Sequence, residues 1–94
     1  DNWHGKVLKQ EELEKALKAL ANKRRLQILR YLKKVKEAPV GDIAEEINLS
    51  FKSTSRHLAV LAAADIVERD QRSLQVFYRL GTLRHAPKYI LSIL

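Results

Sequence analysis

No cysteine occurs among the 94 residues, which excludes a disulfide framework, a zinc–thiolate cluster, a thiol nucleophile and a thiol redox switch. No apolar run approaches the ~20 residues of a membrane-spanning helix. The opening residues, DNWHGKVLKQ, lack the apolar stretch of a signal peptide, so a cytoplasmic protein without a membrane partner is the expectation. The marks of enzyme chemistry are missing too. There is no Gly-rich phosphate loop, no Ser-His-Asp arrangement with a structural rationale and no carboxylate pair in an apolar setting; Glu45 and Glu46 are neighbours on a solvated helix face. A non-enzyme with no cofactor is expected. Acidic residues are absent in a pattern: none lies in residues 49–64 and none follows Asp70, although Arg72, Arg79, Arg84 and Lys88 fall in that last stretch.

What the chain has is positive charge. Eighteen Lys and Arg against eleven Asp and Glu give a formal net charge of +7 and a pI near 9.9. That balance favours an anionic partner, and its clustering points to nucleic acid rather than to solubility alone. Ninety-four residues make one domain with a modest core, so a partner subunit is expected as well.

Residues 1–8 carry little pattern and read as a disordered lead; residues 9–94 read as a single domain. In the first helix Leu13, Ala16, Leu17 and Leu20 fall on one stripe, with Glu11, Glu12, Lys15 and Lys18 elsewhere on the surface. Asn22 suits the N-cap of a second helix, whose inner face is Leu26, Leu29 and Leu32 with Ile28 and Val35. Arg24, Arg30, Lys33 and Lys34 then stay wet, and the cations at its end complement the helix dipole. Pro39 marks the start of a short third helix with Ile43, Ala44 and Ile47 inward. Asn48 suits a left-handed stop, and Ser50 caps the next helix. The turn of about three residues between them is that of a helix-turn-helix.

The stretch at residues 42–61, DIAEEINLSFKSTSRHLAVL, therefore holds a candidate reading helix. At 100° per residue, Thr54, Leu58 and Leu61 fall inside with Phe51 beside them as packing, while Lys52 and Arg56 lie opposite, bordered by Ser53 and Ser55. Arg56 suits the two-pronged contact to guanine and Lys52 a phosphate. Ser53 and Ser55 serve bases, phosphates, or simply a favourable first helical turn. His57 sits between the faces, with packing and base contact both open to it.

Beyond Asp65, Ile66 to Arg69 and residues 74–80 read as the strands of a β-hairpin, with a turn over Asp70, Gln71, Arg72 and Ser73. A hairpin in that place is a wing. Its arginines, Arg69 and Arg72, together with Arg25, suit backbone contacts. Gly81 closes the hairpin, and residues 84–94 form a last helix rich in apolar side chains. Tyr89, Ile90, Ile93 and Leu94 are expected to pair with Leu13, Leu17 and Leu20 in a two-fold dimer, the alternative being one subunit's own core. The fold class is mainly α with a small hairpin, in the order α-α-α-α-β-β-α.

These residues also resemble a family. Asn22-Lys23-Arg24-Arg25-Leu26 with Ile28-Leu29, Asp42-Ile43-Ala44-Glu45, Leu49-Ser50, Ser55-Arg56-His57-Leu58 with Leu61, and Phe77-Tyr78-Arg79-Leu80 are similar to the ArsR-type (arsenic-repressor-like) winged helix-turn-helix repressors. The resemblance implies a homodimer that binds an imperfect palindrome in double-stranded DNA at a promoter and releases it when an effector arrives. The effector is not identified by it. The other class of function considered is a winged-helix module whose basic face serves RNA or an acidic protein.

Three departures narrow the resemblance. Thiolate-sensing members carry a Cys-x-Cys pair where this chain has Pro39 and Gly41, so arsenic, cadmium or lead cannot be sensed in that way. Members that use His and carboxylate pairs on the last helix are matched only by His85, far short of the three or four convergent ligands a metal needs; no metal site is expected. The family's glycine after the reading helix is Asp65 here, and the wing loop reads as slightly longer.

Overall fold

The computed structural model describes residues 10–81, whose order is α1 (Gln10–Leu20), α2 (Lys23–Val35), β1 (Glu37–Pro39), α3 (Val40–Ile47), α4 (Phe51–Ala63), β2 (Val67–Arg72) and β3 (Gln75–Leu80). The expected last helix, with Tyr89, Ile90, Ile93, Leu94 and His85, and the lead at residues 1–8 lie outside these residues. The arrangement is a winged helix-turn-helix. No described helix is long and apolar enough to cross a membrane.

Capping fixes where the helices start and stop. The Asn22 side chain accepts from the Arg25 N–H at 3.1 Å, and that of Ser50 accepts from the Ser53 N–H at 3.1 Å, each satisfying a donor the first helical turn leaves open. Asn48 ends α3 in the left-handed conformation, φ 54° and ψ 54°. Asp65 takes φ 59° after α4, the conformation for which the family's glycine is suited.

The core gathers one face of each helix. Ile28, Leu29, Leu32, Ile43, Leu58, Leu61 and Ile66 are fully buried. Leu26 is only half-buried and Val35 is exposed, because α2 covers the core with Ile28, Leu29 and Leu32. The stripe expected on α1 divides. Ala16, Ala19 and Leu20 are buried, whereas Leu13 and Leu17 are 37% and 48% exposed. Leu20, expected between subunits, thus packs into its own chain. Phe51, expected to pack, is 62% exposed, because no described element covers the first residue of α4.

The hairpin differs from the sequence expectation in two ways. It is longer: Asp70, Gln71 and Arg72 continue β2, paired with Phe77, Val76 and Gln75, and the turn is the two residues Ser73 and Leu74, with Ser73 at φ 57°. Ion pairs of Asp70 and Arg72 hold in the strand residues whose intrinsic preference is for turns. It also has a third strand. The sheet order is β1-β3-β2, all antiparallel, with Ala38 opposite Tyr78 and Pro39 opposite Phe77. β1 is an edge strand, the place in a sheet where a proline's missing N–H is tolerated. Gly81 is required by close approach: a Cβ there would stand 2.8 Å from the Asp65 carbonyl oxygen.

Candidate nucleic-acid interface

Burial on α4 follows the 3.6-residue period. Thr54, Leu58 and Leu61 are buried, and Lys52 and Arg56 on the opposite side are exposed. Ser53, Ser55 and His57 are half-buried along the borders. Neither Lys52 nor Arg56 makes a hydrogen bond or ion pair with the described residues, so both cations are available. Phe51 and Val60 add apolar surface to this otherwise polar face.

Arg25 is placed differently from these. Its Nε donates to the Ala19 carbonyl at 2.5 Å and its Nη2 to the Lys18 carbonyl at 3.2 Å. Nη1 stands 3.2 Å from His57 Nδ1. Burial holds the His57 imidazole below its ordinary pKa, and the charges of Arg25 and Arg24 add to the effect. Arg24, expected to be wet, is half-buried; its Nη1 donates to the Ile47 carbonyl at 2.6 Å and to Gln27 Oε1 at 3.2 Å.

The strand pleat sorts the wing arginines. Val67, Arg69 and Gln71 share one face of β2, and since Val67 and Tyr78 are buried, that face turns toward the helices. Arg69 is exposed and makes no hydrogen bond or ion pair with the described residues. Arg72 lies on the other face. It donates to Glu37 from Nη1 and Nη2 at 2.7 and 2.8 Å and to Asp70 from Nε at 2.9 Å, and lies 4.5 Å from the centroid of the Phe77 ring. Arg79 joins Glu68 at 3.0 Å and Asp70 at 3.7 Å. Hydrogen bonding to Arg72 holds the Glu37 carboxyl below the usual carboxylate range, and the pair keeps Arg72 firmly protonated.

Sequence reasoning did not find Glu37 or the placement of Arg24. Glu37 gives no local sign of its part, since its partner is 35 positions away; Arg24 stood within a run of cations that equally fits a solvated face. Among the described residues, no group of three or more His, Cys, Asp or Glu is placed to hold a metal.

The family model for bacterial regulatory proteins of the arsR family matches residues 22–69, a span holding α2, α3, α4 and the start of the wing. The chain is 41% identical over 66 residues to the transcriptional activator HlyU of Vibrio cholerae, a match covering 70% of this chain and 60% of HlyU. The chain thus spans less than two thirds of that relative. It is 33% identical over 70 residues to the transcriptional repressor SdpR of Bacillus subtilis, covering 74% and 77%. A solved structure of the Vibrio cholerae HlyU is similar with a TM-score of 0.78 at 32% identity, covering 92% of each chain. The homodimeric winged helix-turn-helix DNA-binding domain Mb0332 of Mycobacterium bovis, described as a possible ArsR-family transcriptional regulator, is similar with a TM-score of 0.75 at 28% identity, covering 88% of this chain and 71% of that one.

Proposed function

Because the chain belongs to the arsR family of bacterial regulatory proteins, we propose that it is a cytoplasmic transcriptional regulator that binds an operator in double-stranded DNA as a homodimer. The observation that carries this is the exposed face of α4, where the unpaired cations Lys52 and Arg56 stand beside Ser53 and Ser55 without an acid. Such a face suits a major groove. In this reading Arg56 takes a guanine edge, Lys52 and Arg69 take phosphates, the two serines take bases or phosphates, and Phe51 offers an apolar surface for a thymine methyl.

The exposed Leu13 and Leu17 on α1 support assembly into a dimer, and the homodimeric Mb0332 is the precedent for it. Two-fold symmetry presents two copies of α4 to successive major grooves about 34 Å apart, so the operator is an imperfect palindrome. SdpR is named a repressor and HlyU an activator. Repression needs only that a dimer cover a promoter and exclude polymerase, with no further contacts, and is the proposed outcome. With no cysteine among these 94 residues, they supply no thiolate through which an effector could act.

Selection of bound DNA from a random pool, repeated across salt concentrations, tests the reading. A palindromic consensus with half-sites one helical turn apart is expected, with affinity falling steeply as salt rises. Sequence-independent binding, or selective enrichment of RNA in a parallel pool, would overturn it.

A further inference from the structure

We propose that Arg25 is a positioning residue, not a DNA contact: it fixes the reading helix α4 to the end of α1, and thereby sets how the two reading helices of a dimer are spaced. The dimer part rests on the function proposed above; the linkage itself rests on the geometry of one chain.

The four last carbonyls of a helix have no partner within it, and those of α1 can be accounted for one by one. The Leu17 oxygen accepts from the Ala21 N–H at 3.0 Å and that of Leu20 from the Asn22 N–H at 2.8 Å. The Lys18 and Ala19 oxygens accept from Arg25 Nη2 and Nε. Arg25 therefore completes the end of α1. Its own backbone is held in turn, because Asn22 Oδ1 accepts its N–H.

A guanidinium is a rigid planar fork. With Nε and Nη2 fixed on α1, the direction of Nη1 is no longer free, and it lies 3.2 Å from Nδ1 of His57, in the middle of α4. For that contact to be a hydrogen bond His57 must be neutral, with its proton on Nε2 and its Nδ1 lone pair accepting. The neighbouring Arg24 acts in parallel. It donates to the Ile47 carbonyl at the end of α3, so two consecutive residues at the start of α2 tie down the ends of α1 and α3 and the middle of α4.

The same geometry argues against a phosphate role. All three nitrogens of the Arg25 fork already face acceptors of this chain. These contacts engage three of its five N–H donors, so a phosphate is left only the second hydrogens of Nη1 and Nη2 unless the link breaks, whereas Lys52 and Arg56 are open. If α1 forms the subunit interface, the Arg25 fork is a hydrogen-bonded route from that interface to the DNA-reading surface.

Arg25→Lys tests this, because it keeps the charge and removes the fork. In the folded variant the nitrogen-15 resonance of His57 Nδ1 should shift from that of an accepting nitrogen, without DNA present. On the selected operator, the ratio of cognate to random affinity should fall roughly tenfold, as for one mismatched base pair. The salt slope should stay unchanged, while Lys52→Ala lowers it by about one. Operators with altered half-site spacing should lose their disadvantage. An unmoved His57 resonance would overturn the linkage. Arg25→Ala binding cognate and random DNA equally more weakly, with a salt slope lowered by about one, would make Arg25 a phosphate contact instead. Failure of pool selection with the unaltered protein would count against the proposed function and leave the His57 measurement standing.

Discussion

Arg72 and Glu37 stand 35 residues apart in sequence and meet through two hydrogen bonds of 2.7 and 2.8 Å, so the far end of β2 is fastened across β3 to the first residue of β1. Fork-on-carboxylate pairing is geometrically specific even where solvent limits its strength. The pair's main effect is therefore on the wing's orientation and mobility. Glu37→Gln should leave the melting temperature nearly unchanged and speed amide hydrogen exchange across β2 and β3. Unaltered exchange would show that the strand ladder alone holds the wing.

The wing arginines should separate in binding experiments. Arg69→Ala should weaken cognate and random DNA alike and lower the salt slope by about one, as loss of a phosphate contact does. Arg72→Ala should leave that slope unchanged, because its guanidinium is already engaged by Glu37 and Asp70. Equal slope changes for the two would place both on the backbone.

Arg56→Ala should cost ~1–3 kcal/mol on the operator and relax preference at one base position. Affinity measurements on a panel of single-base operator variants check this. Equal losses on all of them, and on random DNA, would reduce Arg56 to a non-specific cation.

Acid should weaken the fold through His57. Its pKa in the fold is lowered by burial and by Arg25 and Arg24, against about 6.5 in the unfolded chain. The unfolded state then binds more protons between those two values, so stability is complete above about pH 6.5 and declines as pH falls toward the folded value. Protonated Nδ1 also cannot accept from Arg25. Glu37, whose pKa is lowered chiefly by its hydrogen bonds from Arg72, acts in a separate window below about pH 4.5. Urea unfolding measured from pH 7.5 to 5 should therefore show a slope that His57→Gln flattens; an equal slope in both proteins would remove His57 as its source.

Thr54 is fully buried and its hydroxyl has no hydrogen-bond partner among the described residues. Thr54→Val keeps the shape and removes the desolvated group, so it should stabilise the fold by about 1 kcal/mol in urea unfolding. A loss of similar size would show that the hydroxyl bonds back to a carbonyl of its own helix.

Leu13→Asp with Leu17→Asp should give monomers in sedimentation while keeping the helical circular dichroism, since both side chains are already solvent-facing in the single chain. A dimer of unchanged mass would move the interface away from α1.

Much of this protein was local in origin and so legible in the chain. Asn22, Asn48 and Ser50 act on backbone within three or four positions of themselves, and the inward faces of α3 and α4 follow a fixed angular period. The acid-free face of α4 needed only that period and the residue names. Elsewhere local rules failed for a physical reason. Phe51 and Leu20 both carry large apolar side chains, yet one is exposed and the other buried, because exposure depends on which element arrives to cover a helix, not on the helix. β1 is three residues with no alternating pattern, paired because the edge of β3 offers it partners. Arg25 and Arg72 read from sequence as two available cations. The fold gives each a partner within the chain, 32 and 35 positions away, His57 for one and Glu37 for the other, which no local preference encodes.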